Sequence, residues 1–70
     1  MKRMYNLNKI NFEKIYDQED CSVNAIEKKS GVDHRAINKL IDDTHPLISE
    51  ATAEKLAIAY GMRKYDLIKL

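Results

Sequence analysis

The sequence predicts an all-α protein, a compact bundle of five helices. Two observations favour this fold class: a helix-start pattern that occurs three times, and a glycine at two of the expected helix ends. β-branched residues lie at helical rather than alternating spacing, so no strand is predicted. Residues 1–70 are predicted to form a single domain, because a chain of this length has room for only one hydrophobic core.

The three helix starts share one arrangement. An apolar residue precedes a capping residue, and a second apolar residue follows the cap by one helical turn. In such a hydrophobic staple the two apolar side chains pack together and fix the direction of the first turn. The capping side chain accepts a hydrogen bond from a helix amide that otherwise lacks a partner. The three sets are Cys21, Ser22 and Ile26; Val32, Asp33 and Ile37; and Ile48, Ser49 and Ala53.

Helix ends are marked by Gly31 and Gly61, since glycine adopts the left-handed conformation that closes a helix without a Cβ penalty. Pro46 lies in a turn-forming stretch. For the first helix, either Asn8 or Asn11 is a suitable cap. Together these signals predict helices over residues 8–18, 23–30, 34–41, 50–60 and 64–69.

Composition excludes several classes of protein. Cys21 is the only cysteine, so no intramolecular disulfide forms, and its staple position predicts that it packs in the core. No apolar run reaches the roughly 20 residues that span a bilayer. We expect a cytoplasmic protein, because a lone thiol suits a reducing intracellular compartment. The net charge of +1, from 12 basic and 11 acidic residues, is weak evidence against a generic polyanion binder.

Enzymatic chemistry is not predicted. His34 and His45 have no ligand partners at metal-site spacing, and the sequence contains neither a glycine-rich phosphate loop nor a nucleophile elbow. We therefore expect no catalytic residue, no metal site and no cofactor.

The second and third predicted helices are joined only by Gly31, Val32 and Asp33. A helix, a tight glycine turn and a second short helix are typical of a helix-turn-helix, here over about residues 22–41. Helical spacing turns His34, Arg35, Asn38 and Lys39 outward on the second of these helices. Arginine can donate two hydrogen bonds to guanine, and asparagine can pair with adenine.

Residues 22–40 resemble the helix-turn-helix of Cro-type and phage-repressor-type regulators, the lambda repressor-like family. Residues 48–61 are similar to the fourth helix of that family, in the version found in HigA-like antitoxins, and residues 66–68 to its short fifth helix. This resemblance implies a sequence-specific regulator, such as a phage Cro-like repressor or a modulator of a genetic switch. It also implies that the helix over residues 34–41 enters the major groove of double-stranded operator DNA.

The resemblance assigns roles to particular residues. Arg35 and Asn38 would read bases, and Lys39 would contact phosphates, which set affinity rather than sequence preference. The full set of expected DNA-binding residues is His34, Arg35, Asn38, Lys39, Lys28, Lys29 and Asn24.

A single module of this size contacts few base pairs, so a homodimer on paired half-sites is expected. The predicted dimer or partner interface is the last helix. Its candidate residues are Tyr65, Leu67, Ile68 and Leu70.

Four positions depart from the family pattern and leave a second function open. Val23 replaces a common glutamine, and Glu27 stands where a small residue usually allows the two helices to approach. Glu27 must bend outward or find a partner, because burying an unpaired carboxylate is costly. Asp42 and Asp43 would repel phosphates. These departures favour an alternative in which the fold binds protein, either another repressor or a toxin.

Overall fold

The computed structural model describes residues 3–69, which form helices and strands. The all-α prediction is wrong, because three short strands form an antiparallel sheet in the order β2-β1-β3. The fold is mixed α/β. The elements in chain order are β1 (Met4–Leu7), α1 (Lys9–Gln18), α2 (Val23–Ser30), α3 (His34–Asp42), β2 (Leu47–Ser49), α4 (Glu50–Ala59), α5 (Lys64–Leu67) and β3 (Ile68–Lys69).

The central strand β1 pairs with β2, from the middle of the chain, and with β3, from its C-terminal part. Asn6 pairs with Leu47 of β2 on one side and with Lys69 of β3 on the other. These strands have two to four residues each, too few for an alternating pattern to be read from sequence. Their pairing partners also lie far apart along the chain, so no local turn signal announces the sheet.

The predicted helix starts are confirmed. In each of α2, α3 and α4 the predicted cap accepts a hydrogen bond from a first-turn amide, and α1 is capped by Asn8 rather than by Asn11. The longest helices, α1 and α4, have ten residues. Within residues 3–69, no helix is long and apolar enough to cross a membrane.

Both predicted glycine ends are left-handed, with φ of 78° at Gly31 and 65° at Gly61. The predicted last helix is too long, because it ends at Leu67 and the chain then becomes extended. Ile68 leaves the helix to pair with Leu7 of β1.

The prediction that Cys21 packs in the core is wrong, because of the conformation of the turn between α1 and α2. Asp20 and Cys21 have φ of 53° and 62°, a region that non-glycine residues rarely occupy. The Cys21 amide donates to the Tyr16 carbonyl at 2.9 Å, which closes the turn. This conformation exposes Cys21, so its side chain is not part of the core.

Helices and strands share one core. All of the buried side chains among residues 3–69 are apolar, as expected when buried polar groups without partners are costly. The sheet contributes through its inward-facing residues, which pack with those of the helices. The core consists of Leu7, Phe12, Ile15, Ile26, Val32, Ile37, Leu40, Ile48, Ala53, Leu56, Ala57, Leu67 and Ile68.

Candidate nucleic-acid interface

The turn over residues 31–33 holds α2 and α3 in contact. Ile26 of α2, Val32 of the turn and Ile37 of α3 are buried in the common core. Since these three side chains occupy the inner side of the pair, the polar residues of both helices are left on the outer side. The outer side of α3 is therefore exposed at the surface of the molecule.

Glu27 links α2 to the first turn of α3. Its Oε2 accepts a hydrogen bond from the backbone N–H of His34 at 2.7 Å and lies 2.9 Å from His34 Nδ1. A carboxylate at a helix N-terminus is favourable, because free amides and the helix dipole make that end positive. The hydrogen bond from the His34 amide lowers the pKa of the Glu27 carboxyl below its usual value. The partner that Glu27 requires is thus the N-terminus of α3.

A second carboxylate caps the same helix end. Asp33 Oδ1 accepts a hydrogen bond from the Arg35 amide at 2.8 Å and lies 3.6 Å from His34 Nδ1. Glu27, Asp33 and His34 offer ligand atoms that all lie within 4.8 Å of one another, a spacing that could hold a metal ion. Glu27 and Asp33 lie this close to His34 because both carboxylates accept hydrogen bonds from α3 amides and so cap the helix.

Four residues share the exposed face of α3. Arg35, Asn38, Lys39 and Asp42 are all exposed, and their spacing of three, four and seven residues places them on one side of the helix. Ile37 lies on the opposite side and is buried. The face presents a guanidinium in the first turn, an amide at the middle of the helix, and an ammonium and a carboxylate in the last turn.

His34 differs from these neighbours. Its side chain is 48% exposed, and its Nδ1 faces the carboxylates of Glu27 and Asp33. The imidazole is therefore oriented by the cap, and the Nδ1 edge is less available to an external group than the Arg35 or Asn38 side chain.

The predicted contacts of α2 separate into two groups. Asn24 and Lys28 are exposed and, one turn apart, share a face of α2. Lys29 points elsewhere, because its Nζ lies 3.8 Å from Glu19 Oε1 and 4.7 Å from the centre of the Tyr60 ring. Lys29 is thus engaged within the chain and is not grouped with Lys28.

The sequence does not predict the cluster that Glu19, Lys29 and Tyr60 form in the structure. Burial, followed by the negative charge of Glu19, raises the pKa of Tyr60 to about 12. Among the residues that the structure describes, the buried Tyr60 hydroxyl has no hydrogen-bond partner. No local signal in the sequence connects these residues, which come from the α1–α2 turn, α2 and the end of α4.

The predicted dimer or partner interface needs correction. Tyr65 is 63% exposed, but Leu67 and Ile68 are 0% and 5% exposed and belong to the core. Leu67 is covered because α5 packs against α4 and α1, and Ile68 because β3 pairs with β1. The prediction is wrong for these two residues. Leu70 lies outside the described residues.

Comparison with known proteins adds no family to this geometry. No protein-family model, curated protein or solved structure matches the chain. The likeness of residues 22–40 to phage-repressor-type regulators therefore stays a prediction from sequence. The outer face of α3 and the chemistry of its side chains are the features of the structure that bear on function.

Proposed function

We propose that the chain is a small sequence-specific DNA-binding transcriptional regulator that presents α3 to the major groove of an operator. The observation that supports this most is the grouping of Arg35, Asn38 and Lys39 on one exposed face of a helix whose other side is buried. Arginine pairs with guanine through two hydrogen bonds, and asparagine pairs with adenine in the same way. Lys39 contacts a phosphate and fixes the position of the helix.

The exposed face of α2 supplies contacts to the DNA backbone. Lys28 and Asn24 are exposed on α2, and Lys28 forms no ion pair within residues 3–69. Each phosphate that a lysine neutralises releases counterions, so binding weakens as salt rises. Lys29 contributes less than Lys28, because its ammonium already lies near Glu19 and over the Tyr60 ring.

One copy of the module covers too few base pairs for useful affinity, so the functional form is a homodimer on paired half-sites. Among the described residues of the predicted interface, Tyr65 is the exposed one. Such a regulator acts in the cytoplasm of a bacterial host, as a Cro-like repressor or a modulator of a phage switch. Support for this role is the resemblance of residues 22–40 and 48–61 to that family.

Selection from a pool of random DNA duplexes tests the proposal without a known operator. The wild-type protein should enrich a common motif, and fluorescence anisotropy should show tighter binding to the selected duplex than to a scrambled one. Arg35→Ala should weaken binding to the selected duplex about tenfold or more, since one bidentate pair is worth about 1–3 kcal/mol. Lys28→Ala should weaken binding to both duplexes and reduce the salt slope by about 1.

Lys55→Ala is the matched control, because Lys55 is an exposed lysine of α4 outside the helix pair. It should leave affinity and salt slope close to those of the wild-type protein. Failure to enrich any motif would contradict the proposal, as would equal losses of affinity for Arg35→Ala and Lys55→Ala.

A second candidate function is binding of another protein, such as a repressor or a toxin. Asp42 favours it, because this carboxylate shares the exposed face with Arg35 and would oppose a phosphate backbone laid along the whole helix. If α3 binds DNA along its full length, Asp42→Asn should tighten binding to any duplex. If the face instead binds a basic protein surface, Asp42→Asn should weaken binding of that partner. In that case neither the wild-type protein nor the variant should bind DNA.

A further inference from the structure

A cavity of about 510 Å³ lies on the molecule between the start of α1, the loop after α3 and the outer side of β1 and β3. It is walled by residues 6–10, 44–46 and 69. None of the exposed residues of α3 or α2 that we propose for DNA contact is among them. The volume is in the range of small-molecule sites, about 300–1,000 Å³.

Three hydrogen bonds hold the walls together. The Leu7 amide donates to the Pro46 carbonyl at 3.1 Å, and the Asn8 amide donates to the Leu67 carbonyl at 2.9 Å. Lys9 Nζ donates to the Asp43 carbonyl at 3.1 Å. Segments far apart in sequence are thus fixed in place, and the cavity is largely formed before any ligand binds.

The charged side chains that line the cavity are all positive. Lys9 and Lys69 both line the cavity, and His45 adds an imidazole. No acidic side chain of residues 3–69 is part of the lining, although the chain has 11 acidic residues and a net charge of only +1. The first turn of α1 opens at the same place and adds the positive end of its dipole to the side-chain charges.

The neutral groups of the lining suit a phosphorylated ligand. Asn6 lies opposite Lys69 in the sheet register and lines the cavity together with it. Asn8 and Thr44 supply further polar side chains. Ile10, which is 71% exposed, gives an apolar surface for the organic part of a ligand.

We propose that this cavity binds a phosphate group, with Lys69, Lys9 and His45 as its donors. The inference goes beyond DNA reading by α3 and does not depend on it. Two sources present the same chemical group: a free phosphorylated small molecule and the backbone of DNA. Lysine recognises phosphate as a point charge, which fits an open cavity with separated ammonium groups.

Titration of the ¹⁵N-labelled protein with inorganic pyrophosphate at constant ionic strength tests the proposal. The amide signals of Asn6, Asn8, Thr44 and His45 should shift and saturate. Lys69→Gln should weaken pyrophosphate binding about tenfold, as expected for one hydrogen bond to a charged group. Lys55→Gln, which changes an exposed lysine of α4, should leave the titration unchanged.

Lys9→Gln is a second variant. It should weaken binding at least as much as Lys69→Gln, because Lys9 both faces the cavity and ties it to the Asp43 carbonyl. Shifts that never saturate would overturn the proposal. So would saturating shifts that are equal in Lys69→Gln, Lys55→Gln and the wild-type protein.

Addition of a short DNA duplex to the pyrophosphate-loaded protein distinguishes the two sources. If the duplex displaces pyrophosphate and shifts the same amides, the phosphate group belongs to DNA. If pyrophosphate stays bound while the duplex shifts α3, the cavity takes a free small molecule. Loss of DNA binding in Arg35→Ala with normal pyrophosphate binding would show that the two sites act separately.

Discussion

The α2–α3 pair and the three-stranded sheet stabilise one core in different ways. The two helices are consecutive, and Glu27 and His34 join them across a short turn. The sheet instead brings residues 4–7 together with residues 47–49 and 68–69. Loss of a contact in the turn weakens one helix end, whereas loss of a strand releases chain segments that many core residues depend on. We therefore expect the sheet to be the more sensitive region, although its strands are shorter.

The largest effect is expected in β2. Ile48 is 1% exposed, whereas its neighbour Leu47 is 53% exposed on the other face of the strand. Ile48→Ala should lower the free energy of unfolding by about 2–5 kcal/mol through lost burial and a cavity. Leu47→Ala should change it by no more than about 0.5 kcal/mol. Urea denaturation followed by circular dichroism measures both.

If Ile48→Ala does not fold, Ile48→Val keeps the comparison measurable, with an expected loss of about 0.5–1.5 kcal/mol. Similar losses for truncation at positions 47 and 48 would show that residues 47–49 do not form a strand with one buried face.

A smaller effect is expected at the turn between α2 and α3. Gly31 has φ of 78°, and a Cβ there would meet no atom within 4 Å. Gly31→Ala should therefore cost only the backbone strain of the left-handed conformation, about 1–2 kcal/mol. Thermal unfolding should show a fall in Tm of about 4–8 °C per kcal/mol for a domain of this size.

The control is Asp20→Gly, which introduces a glycine instead of removing one. Asp20 has φ of 53° without being glycine, so Asp20→Gly should leave Tm unchanged or raise it, because glycine adopts this conformation without steric penalty. An unchanged Tm for Gly31→Ala would contradict the strain explanation. So would a fall in Tm for Asp20→Gly as large as the fall for Gly31→Ala.

The smallest effect is expected for Glu27→Gln and depends on pH. The pKa of the Glu27 carboxyl is lowered in the folded protein, chiefly by the His34 amide. Ionised Glu27 therefore contributes stability above its ordinary value of 4.5, and this contribution is lost as pH falls through the lower folded value. The wild-type protein should be more stable than Glu27→Gln at about pH 7, and the difference should shrink at about pH 3.

Urea denaturation at the two pH values measures this difference. A difference of the same size at both, or one that grows as pH falls, would show that the Glu27 carboxylate does not stabilise α3 through its charge.

The parts of the fold that follow from sequence are those with local causes. Ser22, Asp33 and Ser49 cap helices, and Gly31 and Gly61 end them, through hydrogen bonds and torsion angles within a few residues. The strands have no such local cause. Residues 4–7 are extended because they pair with segments more than 40 positions away, and Ile68 leaves α5 for the same reason.

The candidate site shows the same division. Exposure of Arg35, Asn38 and Lys39 follows from helical spacing, and the structure agrees. The partner of Glu27 and the placement of Lys29 over Tyr60 depend on how elements pack, which spacing along one helix does not reveal. Burial of Leu67 and Ile68 also depends on packing between distant elements, because α5 packs against α4 and α1 and β3 pairs with β1.

The most direct test of the proposed DNA surface is a map of amide chemical shifts as the selected duplex is added to ¹⁵N-labelled protein. The shifts should concentrate on α3 and the exposed face of α2, at Arg35, Asn38, Lys39, Asn24 and Lys28. Lys55 and its neighbours on α4 should remain unchanged. Shifts that concentrate on the sheet and α4, with α3 unchanged, would contradict reading of DNA by α3.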